Sequence, residues 1–479
     1  MDRLDSMNAV FVNPFPGAQG INEATVELPL GLAYIAAVLE RNGFSCAVID
    51  ANVLGLSPKA VVDRIPAGVP LVGFYVNSFS YRSVQESCAL LRASRPETKI
   101  LLGGPIPSVV PDQVAADFPC DGLIRGEGEF ATLAVLRNLA AGRDALDEQV
   151  PGAYWIDPKT RAARTGAARR IEDLDALPFP ALHLLPPLGR YKSRTRKRPM
   201  APILTSRGCA FACTFCSNYV FERRARFRSA ANVLDEIGFL AKEYRVGQID
   251  ILDDNFAAKR SNVEAISDGL IERGYNLAIN LQSGVRAETL DEPLLRKMRR
   301  AGFYKIAFGI ESADEEVQRL TRKKVDLAKV EECARTAKRL GFVVYGFFII
   351  GLPGETEAAF RKTLDYARRI ELDVGNFCMA IPFVGTELYR QIESEGRFLV
   401  DTRRNIDVGY FGGRVYFEHG DVTAGDMLRR YKTAYREFYT LRRMLRLLLT
   451  VRSWGELTWL LDAGWSVIRG MARRGGAAK

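Results

Sequence analysis

Hydrophobic positions in the first third of the chain come in short blocks separated by amphipathic stretches. Residues 7–13 (MNAVFVN), 45–50 (SCAVID), 71–76 and 99–102 are apolar runs of strand length, the first ended by Pro14. Between them, 28–42 (LPLGLAYIAAVLERN) has helical spacing and stops at Gly43, and 81–95 is a second helical stretch. Strand and helix alternate as in βαβ units, which predicts a doubly wound α/β domain with a parallel sheet to about residue 140. Ligands of such sheets bind beyond the carboxyl ends of the strands. The segments there are 13–17, 77–80, 103–108 (GGPIPS) and 125–129 (RGEGE), whose glycines, prolines and small hydroxyls let a bulky ligand approach the backbone.

A second series of strand-like runs follows at 201–206, 248–252, 277–282, 305–309, 343–350 and 377–381, spaced by amphipathic helical stretches such as 233–244 and 290–301. Six β/α units predict a partial (β/α)6 barrel with its site on the carboxyl-terminal rim. Residues 423–474 read as helices in which basic and apolar residues interleave. The expected division is therefore 1–145 for the first domain, 146–199 for a linker containing the proline-rich LPFPALHLLPP, 200–400 for the barrel, and 401–479 for a helical C-terminal region. His183, in the linker, reads as a surface or packing residue, and His419 is too isolated to assign.

Composition narrows the function. With 479 residues, 47% hydrophobic and 26% charged, the chain is of globular type, not disordered or fibrous. No run approaches the ~18 apolar residues of a membrane span, and no cleavable leader pattern is present, so a cytoplasmic location is expected. The net charge of +10 is concentrated: residues 188–228 hold eleven Lys and Arg against the single acid Glu222, and 420–479 hold twelve against five. Such patches suit nucleic acid, anionic lipid or a phosphorylated ligand, or are simply solvated loops. Two histidines in the whole chain argue against a multi-histidine metal centre.

The strongest chemical signal is Cys209, Cys213 and Cys216, in C-x3-C-x2-C spacing directly after the first barrel strand. Three thiolates on a tight loop suit a 4Fe-4S cluster whose fourth iron has no protein ligand. Zinc would need a fourth ligand nearby, and neither Cys nor His follows until Cys333. An odd number of crowded cysteines in a cysteine-poor chain does not read as a disulfide framework.

Here the sequence resembles the radical S-adenosylmethionine superfamily over about residues 201–396, on the cysteine motif and on DDNF, QSGVR, GIES and GLPGET in serial order. The resemblance implies that S-adenosylmethionine chelates the open iron and is cleaved to a 5'-deoxyadenosyl radical. It places Phe215 near the adenine, Asp253 and Asp254 at the methionine amino group, Arg286 on a carboxylate, and Glu311 and Ser312 by the ribose or methionine. For Glu311 and Arg286 a structural ion pair is an equal reading, and GLPGET also reads as a turn opening a helix. The first domain resembles the cobalamin-binding domain found ahead of some of these enzymes. The matching residues are Leu28, Pro29, Leu30, Gly31 and Leu32, then Gly103, Gly104 and Pro105, then Gly126, Glu127, Gly128 and Glu129; Ser78 is a further cobalamin candidate. Ile106 stands where that family often has His, and the domain contains no His, so the implied cobalt has no histidine beneath it.

Together these imply a cobalamin-dependent radical S-adenosylmethionine methylase or cyclase. The favoured activity is C-methyl transfer to an unactivated carbon through methylcobalamin and a 5'-deoxyadenosyl radical; cyclisation, ring rearrangement or oxidation with the same cofactors is the alternative. A methylthiotransferase acting on tRNA is a poorer match, because Cys46, Cys88 and Cys120 lack the sequence context of its extra cluster. A cobalamin- or redox-sensing binding protein is the reading from another class. Expected partners are a small-molecule or lipid-like substrate and an electron donor such as flavodoxin or ferredoxin, with no nucleic acid. The tail, whose residues 435–439 resemble that of the same enzymes, is expected to cap the barrel bottom or close its open side. The alternative is an amphipathic helix on anionic lipid with Trp454, Trp459 and Trp465 at the interface.

Overall fold

The computed structural model describes residues 7–16, 26–157, 159–167, 169–218, 220–221, 223–404, 413–420 and 422–472. The expected ligand segment 13–17 thus ends outside the described residues.

The four apolar runs of the first third become β1 (Ala9–Asn13), β2 (Cys46–Asp50), β3 (Leu71–Tyr75) and β4 (Lys99–Gly103); a fifth strand not expected from the sequence, β5 (Gly122–Ile124), joins them, all parallel in the order β2-β1-β3-β4-β5. The sheet does not stop there. Two further strands, β6 (Ala153–Ile156) and β7 (Ala163–Thr165), add antiparallel at the β5 edge, inside the stretch expected to be a linker. Helices Leu30–Arg41 and Glu129–Ala140 cover one face, and Pro58–Arg64 and Tyr81–Ser94 pack on the other.

The second domain is an open parallel sheet of six strands in sequential order: β8 (Met200–Ile203), β11 (Gln248–Ile251), β12 (Ala278–Leu281), β13 (Phe303–Glu311), β14 (Val343–Ile350) and β15 (Val374–Met379). Each of the six expected runs supplies one strand. A short antiparallel pair, β9 (Ser206–Arg207) and β10 (Arg226–Phe227), brackets the cysteine loop. The two domains share one continuous apolar core, which runs from Phe11, Leu71 and Leu101 on the first sheet to Ile203 and Ile251 in the barrel.

The tail divides. Helix Ala424–Phe438 packs its buried Tyr435 and Phe438 rings on Phe377 of the edge strand β15. Leu447 and Trp459 then cap the barrel bottom against Tyr304, Val343, Tyr345 and Val374. Large apolar side chains remain outward among exposed arginines: Leu441 is 73% exposed, Leu449 72% and Trp454 82%. No described helix is long and apolar enough to cross a membrane.

Candidate functional site

The loop after β8 is shaped by Gly208, whose φ of +84° is open to glycine at little cost and where a Cβ would lie 2.5 Å from the Arg224 carbonyl oxygen. It carries Cys209 half-buried, Cys213 buried and Cys216 exposed, all as free thiols within electrostatic reach of one another. Burial raises the pKa of Cys209 and Cys213; Lys323 and Arg286 pull both back toward thiolate. Among the described residues no three His, Cys, Asp or Glu converge on a single ion. Three separated thiols beside two cations fit a cluster in which each thiolate takes its own iron, better than a mononuclear metal.

Around that loop the residues expected at S-adenosylmethionine fall into two groups. Asp254 lines the central cavity, its pKa raised by burial against a hydrogen bond from the Gly208 N–H. Glu311 ends β13 at φ +65°, a strained conformation for a residue with a side chain, and pairs with Lys323 at 3.0 Å. Phe215 is half-buried against the core. Asp253, one residue before Asp254, is turned inward. It accepts from Thr205 N (2.7 Å), Thr205 Oγ1 (2.5 Å) and Ser206 Oγ (2.6 Å), and so braces the β8 end. Arg286 donates to the carbonyls of Lys323 and Lys324, pairs with Glu288 at 2.8 Å and stacks 4.0 Å from the Phe211 ring, which ties the cysteine loop to its neighbour. Ser312 is buried and hydrogen-bonds Thr363 at 3.1 Å, again inside the protein. GLPGET is a turn whose Thr356 caps helix Glu357–Arg369.

A cavity of about 810 Å³ lies between the domains. Its wall on the first domain includes Pro29, Gly31, Gly103, Gly104, Pro105, Gly126, Glu127, Gly128 and Glu129, all expected cobalamin residues; Ser78 is buried but is not on the wall, where Asn77 and Ser80 stand instead. Gly104 has φ +114°, and a Cβ there would meet the Val76 carbonyl at 2.8 Å. At Gly103 an added Cβ meets nothing within 4 Å, so the bare backbone faces open cavity. A flat macrocycle fits such a wall. Both histidines stand elsewhere: His183 lies 3.0 Å from Glu40, and His419 lies beside Glu395.

Three of the wall residues do more than line it. Arg207, at the end of the first barrel strand region and two residues before Cys209, donates to Glu127 at 2.7 Å and to Glu129 at 2.6 Å, with all three side chains at most 5% exposed. Glu127 also takes Arg226 at 2.7 Å and the Ile171 N–H at 2.8 Å. The GEGE turn is thus a clamp between the first domain and the cysteine loop. The basic segment 188–228 is correspondingly not one docking patch, since Arg194, Arg207, Arg226 and Arg228 are buried and paired with Glu456, Glu127 and Glu129, Glu127, and Glu236.

Arg207 and Lys323 carried no signal in the sequence, because their partners lie in loops that only the fold brings together. The opposite, barrel-side wall was also missed: Gln282, Lys305, Tyr345, Phe347, Asn376 and Trp459.

Comparison with known proteins agrees with this geometry. Residues 203–367 match the family model of the Radical SAM superfamily, and residues 21–136 match that of the B12 binding domain. An uncharacterized methyltransferase of Pyrococcus horikoshii is 28% identical over 75% of this chain and 77% of its own. Cytidylyl-2-hydroxyethylphosphonate methyltransferase of Streptomyces wedmorensis is 28% identical over 77% of this chain and 78% of its own. The anaerobic magnesium-protoporphyrin IX monomethyl ester cyclase of Rubrivivax gelatinosus is 26% identical over 92% and 79%. In fold, the chain resembles the cobalamin-dependent S-adenosylmethionine radical enzyme OxsB (TM-score 0.73, 16% identity, 96% of this chain and 72% of that one). It also resembles the radical S-adenosylmethionine methyltransferase TsrM of Kitasatospora setae (TM-score 0.63, 20% identity, 78% and 75%).

Proposed function

We propose that this chain, which belongs to the radical S-adenosylmethionine enzymes that carry a B12-binding domain, is a methyltransferase acting on an unactivated carbon of a small molecule. Its cofactors are a 4Fe-4S cluster, S-adenosylmethionine and cobalamin. The observation that carries the reading is the single cavity walled by the glycine turns of one domain and by Asp254 and Gln282 of the other, next to the cysteine loop.

Cys209, Cys213 and Cys216 would hold the cluster, Asp254 and the Glu311–Lys323 pair would face S-adenosylmethionine, and the Gly103–Gly104 and Gly126–Gly128 backbones would hold the corrinoid. When bound, these groups supply the electron, the radical and the methyl group. The chain itself fixes distances. The Arg207 clamp holds the corrinoid wall against the cluster loop, Asp253 braces the strand end that launches that loop, and the aromatic walls Tyr345, Phe347 and Trp459 keep water from the reacting carbon.

Anaerobic incubation of the reconstituted protein with reductant and S-adenosylmethionine is expected to give 5'-deoxyadenosine, and S-adenosylhomocysteine only when corrinoid is bound. S-adenosylhomocysteine without corrinoid would reject methyl transfer by this route. Deoxyadenosine alone would favour cyclisation, the reading supported by the cyclase relative that spans 92% of this chain. An external flavodoxin- or ferredoxin-type donor in the cytoplasm supplies the electron in this proposal. The exposed Leu441, Leu445, Leu448 and Leu449, with Arg442 and Arg446 among them, support a tail resting on anionic lipid.

A further inference from the structure

The interior of a β/α barrel is ordinarily filled by branched apolar side chains. One layer here is not. Strand register sets Asp250 of β11 beside Asn280 of β12, and Asn280 beside Lys305 of β13. Their side chains are respectively 1%, 0% and 5% exposed, so a carboxylate, an amide and an ammonium share one buried layer near the barrel floor.

Asp250 is satisfied. It accepts from Ser193 at 2.9 Å, Gln248 at 2.7 Å and Gln282 at 2.8 Å. The floor beneath is closed by Arg194, which pairs with Glu456 at 3.4 Å and donates to Tyr345. Lys305 is left over. Among the described residues its ammonium has no hydrogen-bond acceptor and no carboxylate at salt-bridge distance; its near neighbour is the Tyr345 ring, 4.5 Å from Nζ. The Asn280 amide in the same layer makes no hydrogen bond of normal geometry with either of its polar atoms. Lys305 also lines the cavity, with Tyr345, Phe347 and Trp459 around it.

With no acceptor from the protein, the Lys305 ammonium opens on the cavity, where an anionic ligand in place of water would complete it. The other cation on the cavity wall, Arg207, is already spent on two glutamates. We infer that Lys305 is the anchor of a substrate subsite at the barrel floor, which takes an oxyanion, carboxylate or phosphate, at the end of a substrate whose body lies along Tyr345, Phe347 and Trp459. This inference rests on the reading of the cavity as the active site, and it narrows the substrate to an acid. Burial pushes the Lys305 ammonium down to about 8, against the field of Asp250, which also makes it an unusually reactive amine toward small acylating reagents.

The test uses protein loaded with cluster and corrinoid, and measures the rate at which acetic anhydride acetylates Lys305, read by peptide mass spectrometry. Benzoate, phenyl phosphate and uncharged benzamide are the probes. The expected result is that at least one of the two anions slows Lys305 acetylation about tenfold, with benzamide without effect, and that Lys305→Met binds that anion at least about tenfold more weakly by calorimetry. Whichever anion protects at the lower concentration identifies carboxylate or phosphate as the group. Equal protection by benzamide, no protection by either anion, or undiminished anion binding by Lys305→Met would overturn the inference. Iron and corrinoid contents of the variant report its folding, and the wild-type protection stands without it. Production of 5'-deoxyadenosine is scored separately, so failure of the subsite and failure of the enzymatic reading are told apart.

Discussion

The two ends of the cavity treat buried charge in opposite ways. Beside the cysteine loop, Glu127 and Glu129 are met by Arg207 and Arg226 in close geometry, and every member of that group is nearly inaccessible. At the barrel floor, Lys305 is as deeply buried and, among the described residues, has no anion at salt-bridge distance, and Asn280 next to it makes no hydrogen bond of normal geometry. Satisfied buried ions hold architecture, because their desolvation is offset within the protein. An unsatisfied one marks the place where the protein is incomplete without a ligand. Read this way, the clamp keeps the two cofactor walls in register, and the floor chooses what is brought to them.

Breaking the clamp should have the largest effect. Arg207→Met leaves Glu129 buried without its cation and Glu127 with Arg226 alone, and is expected to lower stability to urea by about 3–5 kcal/mol. A loss below about 1 kcal/mol would mean that the shared apolar core alone holds the domains together. A smaller and opposite effect is expected at the floor. Lys305 has a folded pKa below its unfolded one, so the unfolded chain binds more protons between the two values, and stability rises as pH climbs through about 8 toward 10. The groups facing it are Asp250, Arg194 and Tyr345. Wild type is therefore expected to gain on Lys305→Met in urea midpoints between about pH 7 and 9.5; a constant difference across that range would place an unseen anion on Lys305 in the free protein. The smallest effect is on the tail. Leu445→Glu with Leu448→Glu should abolish sedimentation with phosphatidylglycerol vesicles while shifting stability by less than about 0.5 kcal/mol.

The contrast also shows what was legible beforehand. The cysteine motif, the glycine turns and the six strand runs are local patterns, and each appears where spacing and periodicity put it. Adjacent Asp253 and Asp254 show the limit. They face opposite ways, one spent on Thr205 and Ser206 and the other on the cavity wall, and both are equally good matches to the motif. Ser78 fails for the same reason, being flanked by the wall residues Asn77 and Phe79 while itself turned away. Glu127 and Glu129 reach the cavity wall as expected, yet their main engagement is with Arg207, 80 and 78 residues further on. Such pairings, and the Asp250–Asn280–Lys305 layer, depend on register between distant strands, which no local pattern encodes. The expected linker hid two strands because β6 and β7 are short and sit at a sheet edge, where β7 is exposed and carries no apolar alternation.

The central claim is that the cavity is one active site with a corrinoid on the glycine wall and a cluster on the cysteine loop. Iron and corrinoid per chain, measured after anaerobic reconstitution of wild type, Gly103→Leu and Cys213→Ala, test it most directly. A Cβ at Gly103 meets nothing within 4 Å, so a leucine there starts into the open cavity, the space assigned to the corrinoid. Expected are about four irons and one corrinoid in wild type, iron without corrinoid in Gly103→Leu, and corrinoid with depleted iron in Cys213→Ala. Full corrinoid retention by Gly103→Leu, or undiminished iron in Cys213→Ala, would contradict it.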